Sequence, residues 1–280
     1  MAQVVLDSDG LPTLSFPTAD PCTAAAAASA AAAEVKTGTT IVACCYSDGV
    51  VLGADTRTSA GSYVVNRAAR KITKLADRIC VCRSGSAADT QTLAQIVRLH
   101  LELYTQQLPP QFNREAQVRV AAHLLQRLAY EYKDMLTAGL IVGGWDSQRG
   151  PQVYSVPLGG CCVPVPYTAG GSGSMFITAY LDEHYRPDMT KEETVNLVKR
   201  AVSHAIHRDG SSGGMIRLVT ISKDEMEEMY VEGNRLPGGW GGRQGDAHGA
   251  AAAAEAAAIV GACKEPATEK RWGCSSSDEG

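Results

Sequence analysis

The stretch "EVKTGTTIVACC", residues 34–45, sets a Gly-Thr-Thr between a polar lead-in and an apolar run. A threonine hydroxyl is a poor nucleophile until something takes its proton. If the Gly38–Thr39 bond is cut, Thr39 gains a free α-amino group, with a reference pKa of ~7.7–8.0, beside its own hydroxyl. One residue then supplies both nucleophile and base. A nearby lysine, with a reference pKa of ~10.4, stays charged and favours the deprotonated hydroxyl, and a carboxylate is needed to hold that lysine in place. The sequence offers each part: Asp55 closes the apolar "VLGADTR", and Lys71 opens a short apolar stretch in "RKITK". In "RSGSAADT", Gly85 falls where a strand meets a helix, so its backbone N–H is a candidate oxyanion donor. Taken singly, an Asp after a strand or a lone Lys also reads as a turn or a solvated charge.

These residues need elements to position them. "TIVACCY" (40–46) and "VVLGA" (50–54), separated by the turn signal "SDG", read as a hairpin. "RICVCRSG" (78–85) is a further strand, followed by helical segments over 87–107 and 114–135. The second segment spaces Val118, Ala121, Leu124, Leu125, Leu128 and Tyr132 helically. Strand character returns at 139–146, 152–160 and 161–171. A helix begins at Thr190, where Glu193 completes a capping box, and 215–222 with 227–233 reads as a closing hairpin. Strands, two adjacent helices, strands, a helix and strands again is not a repeating βαβ pattern. It predicts an α+β fold of two mainly antiparallel sheets covered by helices.

Composition narrows the function classes. The chain has 280 residues, 45% hydrophobic and 20% charged, with a net charge of −4, which argues against nucleic acid as the main partner. No apolar run approaches the ~18 residues of a membrane span. The nine cysteines include no C-x-x-C pair and read as reduced thiols in a cytosolic or nuclear protein. A zinc site from the Cys44–Cys45 and Cys161–Cys162 doublets is disfavoured, because adjacent strand residues point to opposite faces. Residues 1–38 carry an alanine run from Ala24 to Ala33, broken only by Ser29, with Lys36 as their one basic residue. Neither a secretory signal nor a transit peptide has that composition. We read 1–38 as a disordered, removable propeptide, 39–236 as the folded domain, and 237–280 as a Gly/Ala-rich, mostly disordered tail in which only 251–260 could be helical.

"TGTTIVA", "GVVLGADTRTSAGSYVVNRAARKITKLADRI", "CRSGSAADTQ", "GLIVGGWD", "GGSGS" and "RDGSSGG" stand in the order and spacing of one family. From about Gly38 to Leu236 the chain resembles the catalytic beta subunits of the eukaryotic proteasome core particle. The resemblance implies an N-terminal-nucleophile hydrolase fold, a four-layer αββα sandwich, matured by cleavage of its own Gly38–Thr39 bond. It implies Thr39 as the terminal nucleophile, Asp55 as the carboxylate and Lys71 as the charged lysine. Ser172, Asp209 and Ser212 match the polar residues around the threonine amine, and Gly85 the oxyanion donor. Thr58, Ser59 and Ala87 fall where the family pairs its backbone with an extended peptide. No cofactor or metal is implied. The implied partners are the other alpha and beta subunits of a stacked-ring assembly and unfolded polypeptide substrates, in cytoplasm and nucleus.

Arg83, just before "SGS", matches the base of the pocket for the residue preceding the scissile bond. A guanidinium there suits carboxylate side chains, which it can pair bidentately, and the surrounding motifs look most like the acid-preferring, caspase-like type. The competing reading makes Arg83 one half of a structural ion pair. The glycine- and alanine-rich extension after Pro237 and the alanine run of the leader depart from the family pattern. Two alternatives to a threonine endopeptidase are a purely structural ring subunit and an amidohydrolase of small amides. The first is disfavoured because Thr39, Asp55 and Lys71 are all kept, the second by the motif order beyond the nucleophile.

Overall fold

A computed structural model describes residues 3–6, 12–15, 38–60, 63–109, 115–233 and 236–237. Two strands, β1 (Gln3–Leu6) and β2 (Pro12–Ser15), form an antiparallel hairpin inside the leader. These eight residues fall in the stretch read as disordered, and the rest of 1–37 lies outside the described residues. "QVVL" and "PTLS" supply the β-branched residues that favour pairing. The alanine run, 251–260 and Cys22, Cys263 and Cys274 lie outside the described residues.

From the junction the chain runs through β3 (Ile41–Tyr46), β4 (Gly49–Asp55), β5 (Thr58–Ala60), β6 (Tyr63–Asn66), β7 (Ile72–Ala76) and β8 (Ile79–Gly85). Helices α1 (Ala87–Gln107) and α2 (Val118–Glu131) come next, followed by β9 (Ala138–Asp146), β10 (Gly150–Val156), β11 (Val163–Pro164) and β12 (Tyr167–Gly170). After α3 (Thr178–His184) and α4 (Lys191–Arg208), β13 (Ile216–Ser222) and β14 (Met226–Val231) close the fold. Two five-stranded antiparallel sheets result, ordered β12-β3-β4-β13-β14 and β11-β10-β9-β8-β7.

The strand periodicity explains the layering. Along β3, Ile41 and Ala43 point into the core between the sheets with Val50, Leu52, Cys80, Cys82, Ile141 and Val219. Val42 and Cys44 point the other way, onto Leu197, Val198, Ala201 and Val202 of α4. On the far side, Ile79, Val81, Leu140 and Val142 face Leu93, Ile96 and Val97 of α1 and Ala121 and Leu125 of α2. Three apolar cores between four layers make the αββα sandwich expected of an N-terminal-nucleophile hydrolase. Each fully buried Leu or Ile contributes about 1.5–3 kcal/mol relative to exposure.

Three boundaries differ from the periodicity. The helix expected over 114–135 is confined to α2, because its first N–H, on Val118, is taken by Asp146 at the end of β9, 3.1 Å away. The single strand expected over 161–171 is two strands in different sheets. Pro164 and Pro166 cannot donate to a ladder, so the chain changes sheets between them. The short α3 carries too few turns for a periodic signal. The capping box at Thr190 forms as expected, with Thr190 Oγ1 accepting from Glu193 N–H and Glu193 accepting from Thr190 N–H.

Candidate active site

Antiparallel register gathers the site at one end of both sheets. Ile41 pairs with Ala54, and Asp55 N–H donates to the Thr40 carbonyl at 3.1 Å, so the start of β3 lies beside the end of β4. Lys71 immediately precedes β7, and its carbonyl accepts from Arg83 N–H at 2.8 Å. Thr39, Asp55, Lys71, Gly85, Ser172, Asp209 and Ser212, far apart in sequence, converge there.

Lys71 Nζ donates to Asp55 Oδ1 at 2.7 Å and to the Gly38 carbonyl oxygen at 3.0 Å. Asp55 is fully buried and Lys71 is 7% exposed. A buried ion pair survives only if its remaining valences are filled. Here Asp55 also accepts from Thr40 N–H at 2.9 Å, Gly213 N–H at 3.0 Å and Arg57 N–H at 3.3 Å. Burial pushes the Lys71 ammonium below the usual lysine range, and the Asp55 carboxylate opposes that shift. Thr39 Oγ1 donates to the Gly38 carbonyl at 2.8 Å, so hydroxyl and ammonium share one oxygen, that of the bond expected to be cut.

A second network holds the Thr39 nitrogen. Thr39 N–H donates to Ser172 Oγ at 3.1 Å, and Ser172 Oγ donates in turn to Asp209 Oδ2 at 2.8 Å. Ser212 Oγ donates to the same oxygen at 2.6 Å. With its one proton committed, Ser212 must accept from Thr40 Oγ1, 2.8 Å away. Burial alone would raise the Asp209 carboxyl. The donors from Ser212, Ser172 and Ser211 N–H outweigh it, with Lys71 assisting, and hold Asp209 below the usual carboxylate range.

Arg83 is buried and makes no ion pair among the described residues. Its Nε donates to Thr73 Oγ1 at 2.9 Å, and its terminal nitrogens donate to Thr90 Oγ1 at 3.3 Å and the Arg70 carbonyl at 2.6 Å. All three acceptors are neutral, so the positive charge stays uncompensated at the wall of a cavity of about 480 Å³. Thr39, Gly38, Thr58, Gly85 and Ala87 also border that cavity. Burial lowers the Arg83 pKa from its usual value. Ser59 Oγ accepts from Gly38 N–H at 3.5 Å, so Gly38 lies on this side. Gly85 closes β8 with φ +99°, where a Cβ would overlap the Thr137 carbonyl oxygen.

The residues singled out in the sequence are therefore brought together. Sequence reasoning missed Thr40, Thr73 and Thr90, which support Ser212 and Arg83. The Thr39–Thr40 doublet was the one signal for the first, and isolated hydroxyls gave none for the others.

Comparison with known proteins agrees with this geometry. A family model described as proteasome subunit matches residues 35–221. The chain is 47% identical over 208 residues to "Proteasome subunit beta type-6" of Dictyostelium discoideum, covering 74% of this chain and 95% of the relative. It is 49% identical over 199 residues to the Arabidopsis thaliana protein of that name, covering 71% and 84%. It is also 48% identical over 196 residues to "Proteasome subunit beta type-1" of Saccharomyces cerevisiae, covering 70% and 89%. A family match across most of the folded residues, and relatives aligned over nearly their whole length, lead to one conclusion: this chain belongs to the proteasome beta-subunit family.

Proposed function

We propose that the chain is a threonine endopeptidase subunit of the proteasome core particle, activated by cutting its own Gly38–Thr39 bond and preferring to cleave after acidic residues. The observation that carries this reading is the pair of donors on the Gly38 carbonyl: the Thr39 hydroxyl at 2.8 Å and the Lys71 ammonium at 3.0 Å. The ammonium draws electron density from the carbonyl carbon that the hydroxyl must attack. In self-cleavage the Thr39 Oγ–Gly38 C bond forms and the Gly38 C–Thr39 N bond breaks. The nitrogen gains the proton that the hydroxyl releases. Water then hydrolyses the ester, freeing the Gly38 carboxylate and the Thr39 hydroxyl beside the amine already released. In the mature chain that amine, held by Ser172 and Asp209, takes the hydroxyl proton when a substrate is attacked. Gly85 N–H is assigned to the oxyanion.

The acid preference follows from Arg83. A buried carboxylate without a partner is costly, and here an uncompensated guanidinium borders the same cavity as Thr39. The partners are the other alpha and beta subunits of the ring assembly, the substrates unfolded polypeptides, and the compartments cytoplasm and nucleus, where the six free thiols among the described residues stay reduced.

N-terminal sequencing of the purified particle is expected to give a chain starting at Thr39. Matched fluorogenic peptides ending in Glu, Leu and Arg are expected to be cut fastest after Glu. A charged hydrogen-bonded pair is worth about 1.5–3 kcal/mol, so Arg83→Met should lower the Glu-to-Leu ratio roughly 10- to 100-fold. An unchanged ratio would remove Arg83 as the determinant. An inactive chain retaining Met1–Gly38 would favour a structural ring role instead.

A further inference from the structure

Thr39 and Gly85 border a second cavity, of about 380 Å³. Its walls include Ile41, Leu140, Ile141, Val156 and Leu158, and no charged side chain lines it among the described residues. Gly38, Thr58 and Arg83 border the first cavity and are absent from this one. The two spaces therefore flank the nucleophile with different chemistry, one charged and one apolar.

Chain direction assigns them. Gly38, on the acyl side of the Gly38–Thr39 bond, lies along a path past Ser59 and borders the Arg83 cavity. A peptide attacked by Thr39 lays its acyl half along that path, so its amine half must leave across the other flank, past Gly171 and Ser172. Gly171 keeps that wall thin: its φ is +81°, and a Cβ there would overlap the Thr39 carbonyl. Leu158, 64% exposed, stands at the rim.

We propose that this second cavity is the subsite for the side chain following the scissile bond, and that it takes an apolar residue. The proposal rests on the peptidase reading above and extends it from one side of the cut bond to both. A Leu or Phe side chain would exchange water for the apolar wall. A Lys or Asp would lose its hydration with no charged partner to replace it. The amine half departs as the acyl-Thr39 ester forms, so the preference belongs to acylation and is read in kcat/KM.

The test uses the assembled particle and internally quenched peptides that share a Glu before the bond and differ only in the next residue: Leu, Phe, Ala, Lys or Asp. Cut sites are assigned by mass spectrometry of the products. Leu and Phe are expected to exceed Lys and Asp by roughly tenfold or more in kcat/KM. Leu158→Asp should shrink that ratio and raise the relative rate with Lys. Cleavage after Glu that is indifferent to the next residue in the wild-type particle overturns this proposal alone, as does a ratio unmoved by Leu158→Asp. Absence of any cleavage after Glu overturns the peptidase reading, and this one with it.

Discussion

Lys71 keeps its cation where little water reaches, beside a carboxylate that none reaches. Structure and chemistry therefore meet in one side chain, and they can be separated. Lys71→Ala strands the buried Asp55 charge, which typically costs about 3–5 kcal/mol. The variant should lose stability and fail to cut the Gly38–Thr39 bond. Replacing both partners, Lys71→Met with Asp55→Asn, removes the stranded charge and should recover much of the stability in denaturant melts. Intact mass should still show an uncut chain, because no cation polarises the Gly38 carbonyl. A double variant that processes itself normally would deny Lys71 its chemical role. Asp55 and Lys71, ambiguous taken singly, were legible through the ordered motifs in which they stand. Thr40, Thr73 and Thr90 were not: a hydroxyl's work depends on which acceptor or donor the fold turns towards it, and no spacing records that.

At the scale of elements, the junction of β8 and α1 carries the pocket. Ser86 caps α1 while Thr90, one turn in, accepts from Arg83, so the helix start and the guanidinium position each other. Gly85 sits between them at φ +99°. Gly85→Ala forces a Cβ against the Thr137 carbonyl in a conformation that alanine disfavours, a strain of about 1–3 kcal/mol. The strand end must shift to relieve it, and it borders both cavities at Thr39. The expected outcome is a folded chain with kcat/KM down at least roughly tenfold for acidic and apolar peptides alike; an unaffected rate would mean that the turn tolerates displacement. The bounds of α1 could be read directly because its cap is local. Those of α2 could not, since its first N–H is satisfied by Asp146 from another strand.

For the whole molecule, four layers follow from strand alternation and helix periodicity, which the sequence displays, whereas the division of 161–171 between two sheets depends on which edge each piece meets. The same layering places the ends of β3, β4 and β8 around the Gly38–Thr39 bond that the proposed maturation cuts. Under the proposed maturation Gly38 belongs to the precursor's site alone, and that gives a way to separate maturation from turnover. A Cβ on Gly38 would overlap the Ser211 side chain and carbonyl, so Gly38→Ala must move the scissile carbonyl away from Thr39 Oγ1 and Lys71 Nζ. A displacement of about 1 Å at a reacting centre can cost ~100-fold in rate. The Gly38→Ala precursor should therefore accumulate uncut, visible as the unprocessed mass in assembled particles. In the proposed maturation residue 38 leaves with the leader, so whatever fraction does mature should show wild-type kcat/KM per Thr39 amine. A chain produced directly with Thr39 as its free N-terminus should match it. Processing of Gly38→Ala at the wild-type rate would show that the two hydrogen bonds on the Gly38 carbonyl do not control the cut; slow processing with impaired mature chains would place Gly38 in the fold rather than in the reaction.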